Sequence, residues 1–210
     1  MTTALNTLQA RGFGDPPHDA QQMFRSILTA MSRPTIAQPV TVDLTPPAPL
    51  GVAAAAVVLT LCDEYTPLWL DETLSPNTAV VEWIRFHTGA RITPDLRSAM
   101  FVLASSPVTV PPLTELDTGT DIAPHTSATL IIDIRDAGNA VTPLLATGPG
   151  VNGAITWDAR GLPAGLVSYR AERESAFPQG IDLILADHDT VAALPRTTRL
   201  QILDTRAENP

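Results

Sequence analysis

Phe177-Pro178-Gln179-Gly180-Ile181-Asp182-Leu183-Ile184-Leu185-Ala186, followed by Leu194-Pro195-Arg196-Thr197-Thr198-Arg199, is the stretch on which the fold turns. Ile181–Ala186 is a short apolar run bounded by turn residues, the pattern of a strand buried on both faces. It carries one carboxylate, Asp182, and a buried charge without a partner is very costly. Asp187-His188-Asp189 reads as a turn, so the chain after it returns as a hairpin and brings Arg196 towards Asp182. The expectation is a structural pair, Asp182 with Arg196, with the backbone amides around Thr197 and Thr198 as further donors.

Working outward, helices alternate with apolar strands. Asp19 and Gln22 have the spacing of a capping box, and Ala20, Met23, Phe24, Ile27, Leu28 and Met31 recur at helical spacing until Pro34 stops the helix. A strand is expected over Ile36–Leu44, and Pro46-Pro47-Ala48-Pro49 forms a stiff connector. The run Leu50–Cys62 is a core helix, too short to span a bilayer, which needs about 20 apolar residues. Leu68–Leu70 is a short strand, and Asn77 caps a helix carrying Val80, Val81 and Ile84 that ends at Gly89. Met100–Ala104, Thr129–Ile134 and Leu144–Thr147 are further strands, and Ala164–Ser175 a further helix. The alternation predicts an α/β layered domain spanning 1–210, with an ordered core over about 18–203 and flexible ends at 1–14 and 204–210.

Composition narrows the chemistry. Hydrophobic residues make up 44% of the 210 and aromatics only 5%, so the core is aliphatic and alanine-rich. A net charge of −9 argues against a nucleic-acid partner or docking on an anionic membrane. All 13 basic residues are arginine; without lysine there is no Schiff base, no lysine base and no P-loop lysine. The one cysteine, Cys62, excludes an intrachain disulfide and a cysteine-cluster metal site, and its apolar setting marks it as a buried, inert thiol suited to a reducing cytoplasm. No metal site is expected, because His18, His87, His125 and His188 show no ligand spacing. The first residues carry no signal-peptide pattern.

Two motifs carry weaker readings. Gly148-Pro149-Gly150-Val151-Asn152-Gly153 matches G-x-G-x-x-G, but Pro149 removes an N–H from the loop and the next segment makes a poor helix, so a strand-ending turn is favoured over dinucleotide binding. Arg85 and His87 fall in the last turn of a helix, where the dipole favours cations. Together with Arg196, Arg199 and backbone donors near Gly148 and Gly150 they form a candidate anion or interface site for phosphate or a nucleotide. Trp69, Trp83 and the high aliphatic content suggest self-association into a homodimer.

The wording of several segments resembles the PhnH family, the H subunit of the bacterial carbon–phosphorus lyase system. The residues that carry it are the opening stretch quoted above, Phe24-Arg25, Ala30-Met31-Ser32-Arg33-Pro34, Leu59-Thr60-Leu61-Cys62-Asp63, Thr66-Pro67-Leu68-Trp69-Leu70, Arg85-Phe86-His87-Thr88-Gly89-Ala90 and Thr147-Gly148-Pro149-Gly150. The resemblance implies a three-layer α/β/α sandwich similar to the large domain of pyridoxal-phosphate-dependent transferases, without that cofactor or any other. It implies a cytoplasmic, non-catalytic or co-catalytic subunit working with the G, I and J subunits, in the step that forms a ribose 1-phosphonate 5-triphosphate from a nucleoside triphosphate and a phosphonate. It supplies no catalytic residue set for this chain. The alternative is a stand-alone enzyme or binding protein for a phosphorylated small molecule.

Overall fold

The computed structural model describes residues 10–203. The expected flexibility of residues 1–9 and 204–210 lies outside the described residues. Residues 10–14 fall before the expected start of the ordered core, yet Ala10 and Phe13 pack against it and Gly12 is buried.

Four helices are described: α1 (Pro16–Ser32), α2 (Val52–Leu61), α3 (Thr78–Thr88) and α4 (Leu166–Glu172). The strands are β1 (Gln38–Pro39), β2 (Leu68–Leu70), β3 (Phe101–Ala104), β4 (Thr129–Asp133), β5 (Val141–Thr147), β6 (Ala154–Arg160), β7 (Asp182–Ala186), β8 (Thr190–Leu194) and β9 (Arg199–Ile202). Six form one sheet in the order β1-β8-β7-β4-β3-β2. β2, β3, β4 and β7 are parallel, while β8 and β1 close one edge antiparallel.

Register explains the unbroken apolar runs. Val102, Leu130 and Leu183 lie side by side across three strands, and so do Leu103, Ile131 and Ile184 one residue on. Side chains alternate across a strand, so the first row enters one core and the second row the other. A strand buried on both faces has no polar face to show. The second row packs under α1, α2 and α3 through Met23, Ile27, Val57, Val58, Trp83 and Ile84. α2 is alanine-rich and buried nearly all round, as expected of a helix with no polar stripe, and its small side chains let it lie between its helical neighbours and the sheet.

The α/β expectation holds, but the third layer is not simply helical. The first row is covered by α4 together with a three-stranded antiparallel sheet, β6-β5-β9, which contributes Leu144, Ala146, Ala159 and Leu200. β6 and β9 have no counterpart in the sequence reading, because each is largely exposed and carries no apolar run. The expected strand over Ile36–Leu44 shrinks to Gln38–Pro39, since Pro39 has no N–H and is confined to an edge. α1 begins at Pro16 rather than beside Asp19; prolines suit the first helical turn, and the Asp19 carboxylate reaches back to accept the Asp15 N–H at 3.0 Å. Asn77 and Gly89 end α3 as expected: the Asn77 side chain accepts the Val80 N–H and Gly89 is left-handed at φ 71°. The β7–β8 hairpin forms around residues 187–189.

Burial bears on the tryptophans and on the cysteine singled out in the sequence. Trp83 is 1% exposed and Trp69 is partly buried against the core that holds the first row, so neither offers the uncovered surface from which self-association was inferred; exposed apolar side chains include Phe24, Leu28 and Phe86 instead. Cys62 is buried, and desolvation, with Asp63 nearby, pushes its thiol up to about 12. The thiolate is the reactive form, so Cys62 will not react with a disulfide reagent at pH 8 in the native chain and will react at once in denaturant. Fast labelling of the native protein would contradict this burial.

Candidate functional site

Open parallel sheets usually bind ligands beyond the carboxyl ends of their strands, where strand order reverses. Here the parallel strands run in sequence, β2, β3, β4, β7, with no reversal, and two carboxylates at that end are held within the chain. Asp71, just after β2, is fully buried and accepts from the N–H of Thr73, Leu74 and Ser105 and the hydroxyls of Ser105 and Thr109. Asp133, at the end of β4, accepts the Gly51 N–H at 3.1 Å and pairs with Arg135, whose Nη2 donates to Pro49 O. Gly51 has no room for a side chain there, since a Cβ would stand 2.4 Å from Arg135 Nε and Asp133 Oδ2.

The cleft opens at the other end of the sheet. Asp182 begins β7, and antiparallel β8 ends beside it, so the turn at Pro195–Thr198 arrives there. A cavity of about 440 Å³ is enclosed by Gly148, by α4 and its exit, by Phe177–Ile181 and by Arg196–Leu200. That size suits a small-molecule ligand.

Arg196 organises this end. Its backbone N–H donates to Asp182 Oδ1 at 2.7 Å and its Nη2 to Asp182 Oδ2 at 2.5 Å. The same guanidinium reaches Ser127 Oγ at 2.6 Å, Pro124 O at 2.9 Å and Pro178 O at 3.2 Å. Each side chain is roughly four-fifths buried. The donors of Arg196 are committed within the protein.

Arg170 stands behind it. It is 8% exposed and clamps three carbonyls of the same turn: Leu194 O at 2.8 Å, Pro195 O at 2.6 Å and Thr198 O at 2.9 Å. It has no carboxylate in salt-bridge range among the described residues. Burial pushes its pKa down to about 10, opposed by the charge of Asp182, so it is still a cation at neutral pH. Arg170 Nε, Tyr169 Oη and Thr198 Oγ1 are buried without a hydrogen-bond partner in the protein. Arg173, one helical turn from Arg170, lies over the Tyr169 ring at 5.1 Å. Arg199 Nε meets Glu174 Oε1 at 2.7 Å, a pair more than half exposed and so of small energetic weight.

Of the residues singled out in the sequence, Gly148, Arg196 and Arg199 line this cleft. Gly148–Gly153 is the loop of the β5–β6 hairpin, so the glycine motif leads into a strand and not into a phosphate-binding helix. Gly148 has φ +125°, and a Cβ there would fall 2.7 Å from Thr197 O. Gly150 packs instead against Ser32 O and Pro34. Arg85 and His87 are not brought to the cleft: α3 packs in the other core, on the opposite face of the sheet. His87 lies edge-on to Trp83 and Phe86, and its partial desolvation lowers its pKa. Tyr169, Arg170 and Arg173 escaped the sequence reading, which had named Thr198 only for its backbone amide. The i, i+3 spacing of Arg170 and Arg173 was the available signal, since it puts both on one helix face. Among the described residues no group of three or more His, Cys, Asp or Glu side chains could hold a metal ion, and no helix is long and apolar enough to cross a membrane.

The chain matches, over residues 11–201, the model of the family described as bacterial phosphonate metabolism protein (PhnH). It is 38% identical over 199 residues to the alpha-D-ribose 1-methylphosphonate 5-triphosphate synthase subunit PhnH of Rhizobium meliloti (strain 1021), covering 95% of this chain and 98% of that protein. It is 34% identical over 79 residues to the putative C-P lyase subunit protein HtxG of Stutzerimonas stutzeri, covering 38% of this chain and 40% of that one.

Two outcomes follow from the geometry. Asp182→Ala strands the Arg196 guanidinium and should cost about 3 kcal/mol, measured by urea unfolding; a variant as stable as the parent would remove Asp182 from its structural role. His87 binds fewer protons folded than unfolded around its ordinary pKa, so this group makes stability fall as pH drops through 6.5. An NMR titration should place the His87 midpoint below 6.5, and a midpoint at or above it would contradict the packing seen here.

Proposed function

Because the chain belongs to the PhnH family of bacterial phosphonate metabolism proteins, we propose that it acts as a subunit of the assembly that makes a ribose 1-phosphonate 5-triphosphate in carbon–phosphorus lyase phosphonate catabolism. The observation that carries this reading is the end-to-end match to a relative named as a subunit of such a synthase. The proposal extends to the G, I and J subunits as its partners, to a homodimeric state and to a cytoplasmic setting. It also extends to a likeness between the six-stranded sheet and the large domain of pyridoxal-phosphate-dependent transferases. Use of that cofactor is not part of it, since the chain has no lysine to form the internal Schiff base.

A second reading, a stand-alone enzyme or binding protein for a phosphorylated small molecule, is favoured by one observation. Four of the 13 arginines of an acidic chain line a single cleft. The two readings make different predictions. Tagged chain co-expressed with the other lyase subunits should recover the G, I and J subunits in stoichiometric amounts, and its deletion should abolish growth on methylphosphonate as phosphorus source. Recovery of the chain alone, with growth on methylphosphonate unimpaired, would reject the subunit reading.

A further inference from the structure

The groups around the Pro195–Thr198 turn do not balance in charge. Arg170 and Arg196 are both mostly buried and close enough for the charge of Arg196 to oppose that of Arg170, while Asp182 is the carboxylate whose charge supports it. Asp182 is already held by Arg196 through side chain and backbone, so one positive charge is left over beneath the cleft floor. Moving outward, Arg173 has no carboxylate in salt-bridge range among the described residues, and Arg199 has only its exposed pair with Glu174. Glu174 is the one carboxylate residue in the lining against four arginines. In a chain with 22 acidic residues to 13 basic ones, this is a local inversion of charge. The same wall holds three buried polar atoms without partners, Arg170 Nε, Tyr169 Oη and Thr198 Oγ1. A buried cation with spare donors is stabilised by an anion close by.

We propose that this cleft is a binding site for the phosphate or phosphonate group of a small organic molecule, with Arg173 and Arg199 as its direct ligands and Arg170 as a fixed charge beneath them. Arginine suits the task, because its planar fork matches the oxygens of a tetrahedral oxyanion. Phe177, 67% exposed at the rim, offers an apolar face to the organic part. The site does not depend on the subunit reading, since every group named belongs to this chain.

The test uses the purified full-length chain alone, in calorimetric titration and thermal melts against inorganic phosphate, methylphosphonate, ribose 5-phosphate and ATP, with sodium chloride at matched ionic strength as the blank. At ten times its dissociation constant, a binding ligand should raise Tm by about 3 °C. The arms separate the sources: a phosphonate, a sugar phosphate or a nucleotide triphosphate. The double variant Arg173→Gln Arg199→Gln keeps the Arg170 and Arg196 clamps and should melt near the parent, with affinity at least tenfold weaker. Arg85→Gln His87→Gln, on the opposite face, should bind like the parent. The proposal fails if none of the four ligands exceeds the salt blank, if the cleft variant binds as tightly as the parent, or if only the α3 variant loses binding.

Discussion

One guanidinium ties four separate parts of the chain together. Arg196 holds the start of β7 through Asp182, the segment before β4 through Pro124 and Ser127, and the loop at Pro178. It is itself carried on the turn between β8 and β9. Such a clamp is favourable only where every donor finds an acceptor, because a partly satisfied buried charge destabilises more than an apolar contact would. The fit also depends on close backbone approach. Gly180, at φ +148°, places its α-carbon where a Cβ would stand 3.0 Å from that of Arg196. The cleft owes its shape to this junction.

The two ends of the sheet solve the same electrostatic problem differently. At the carboxyl ends, Asp71 is held by hydrogen bonds without a cation, and Asp133 by one guanidinium and two backbone amides. Both carboxylates are hydrogen-bonded from within the chain. At the amino end the arginines outnumber the carboxylates, and their clamped carbonyls offer only partial compensation. An α/β sheet whose strands run without a reversal of order lacks the usual crevice, and here the opening forms where a hairpin and a second sheet meet the opposite end.

Absence of lysine fits this design. An ammonium is a compact, strongly hydrated point charge, whereas a guanidinium can donate in one plane to several acceptors at once. Arg170 and Arg196 each bind three or more groups in half-buried or buried settings that would be poor for lysine. The family membership of the chain rests on similarity along nearly its whole length, and the same stretches supply both the clamp and the doubly buried strands.

Much of the architecture was legible in the residues. Apolar runs with no polar alternation marked β3, β4 and β7 as strands buried on both faces, because a period of two leaves no other reading when both faces are covered. Asn77 and Gly89 fixed α3, since a side-chain acceptor and a left-handed residue are local requirements of helix ends. The Asp182–Arg196 juxtaposition followed from a strand, a turn and a returning strand in immediate succession. What only the tertiary structure decided was which distant groups share a surface. Arg85 and His87 read like Arg196 and Arg199 in sequence, yet the sheet separates them, while Arg170, unremarked within an expected helix, is buried by the packing of α4 against β9. Local sequence sets secondary structure through short-range sterics and hydrogen bonds. Burial, and with it the strength of a charge, depends on neighbours brought from elsewhere in the chain.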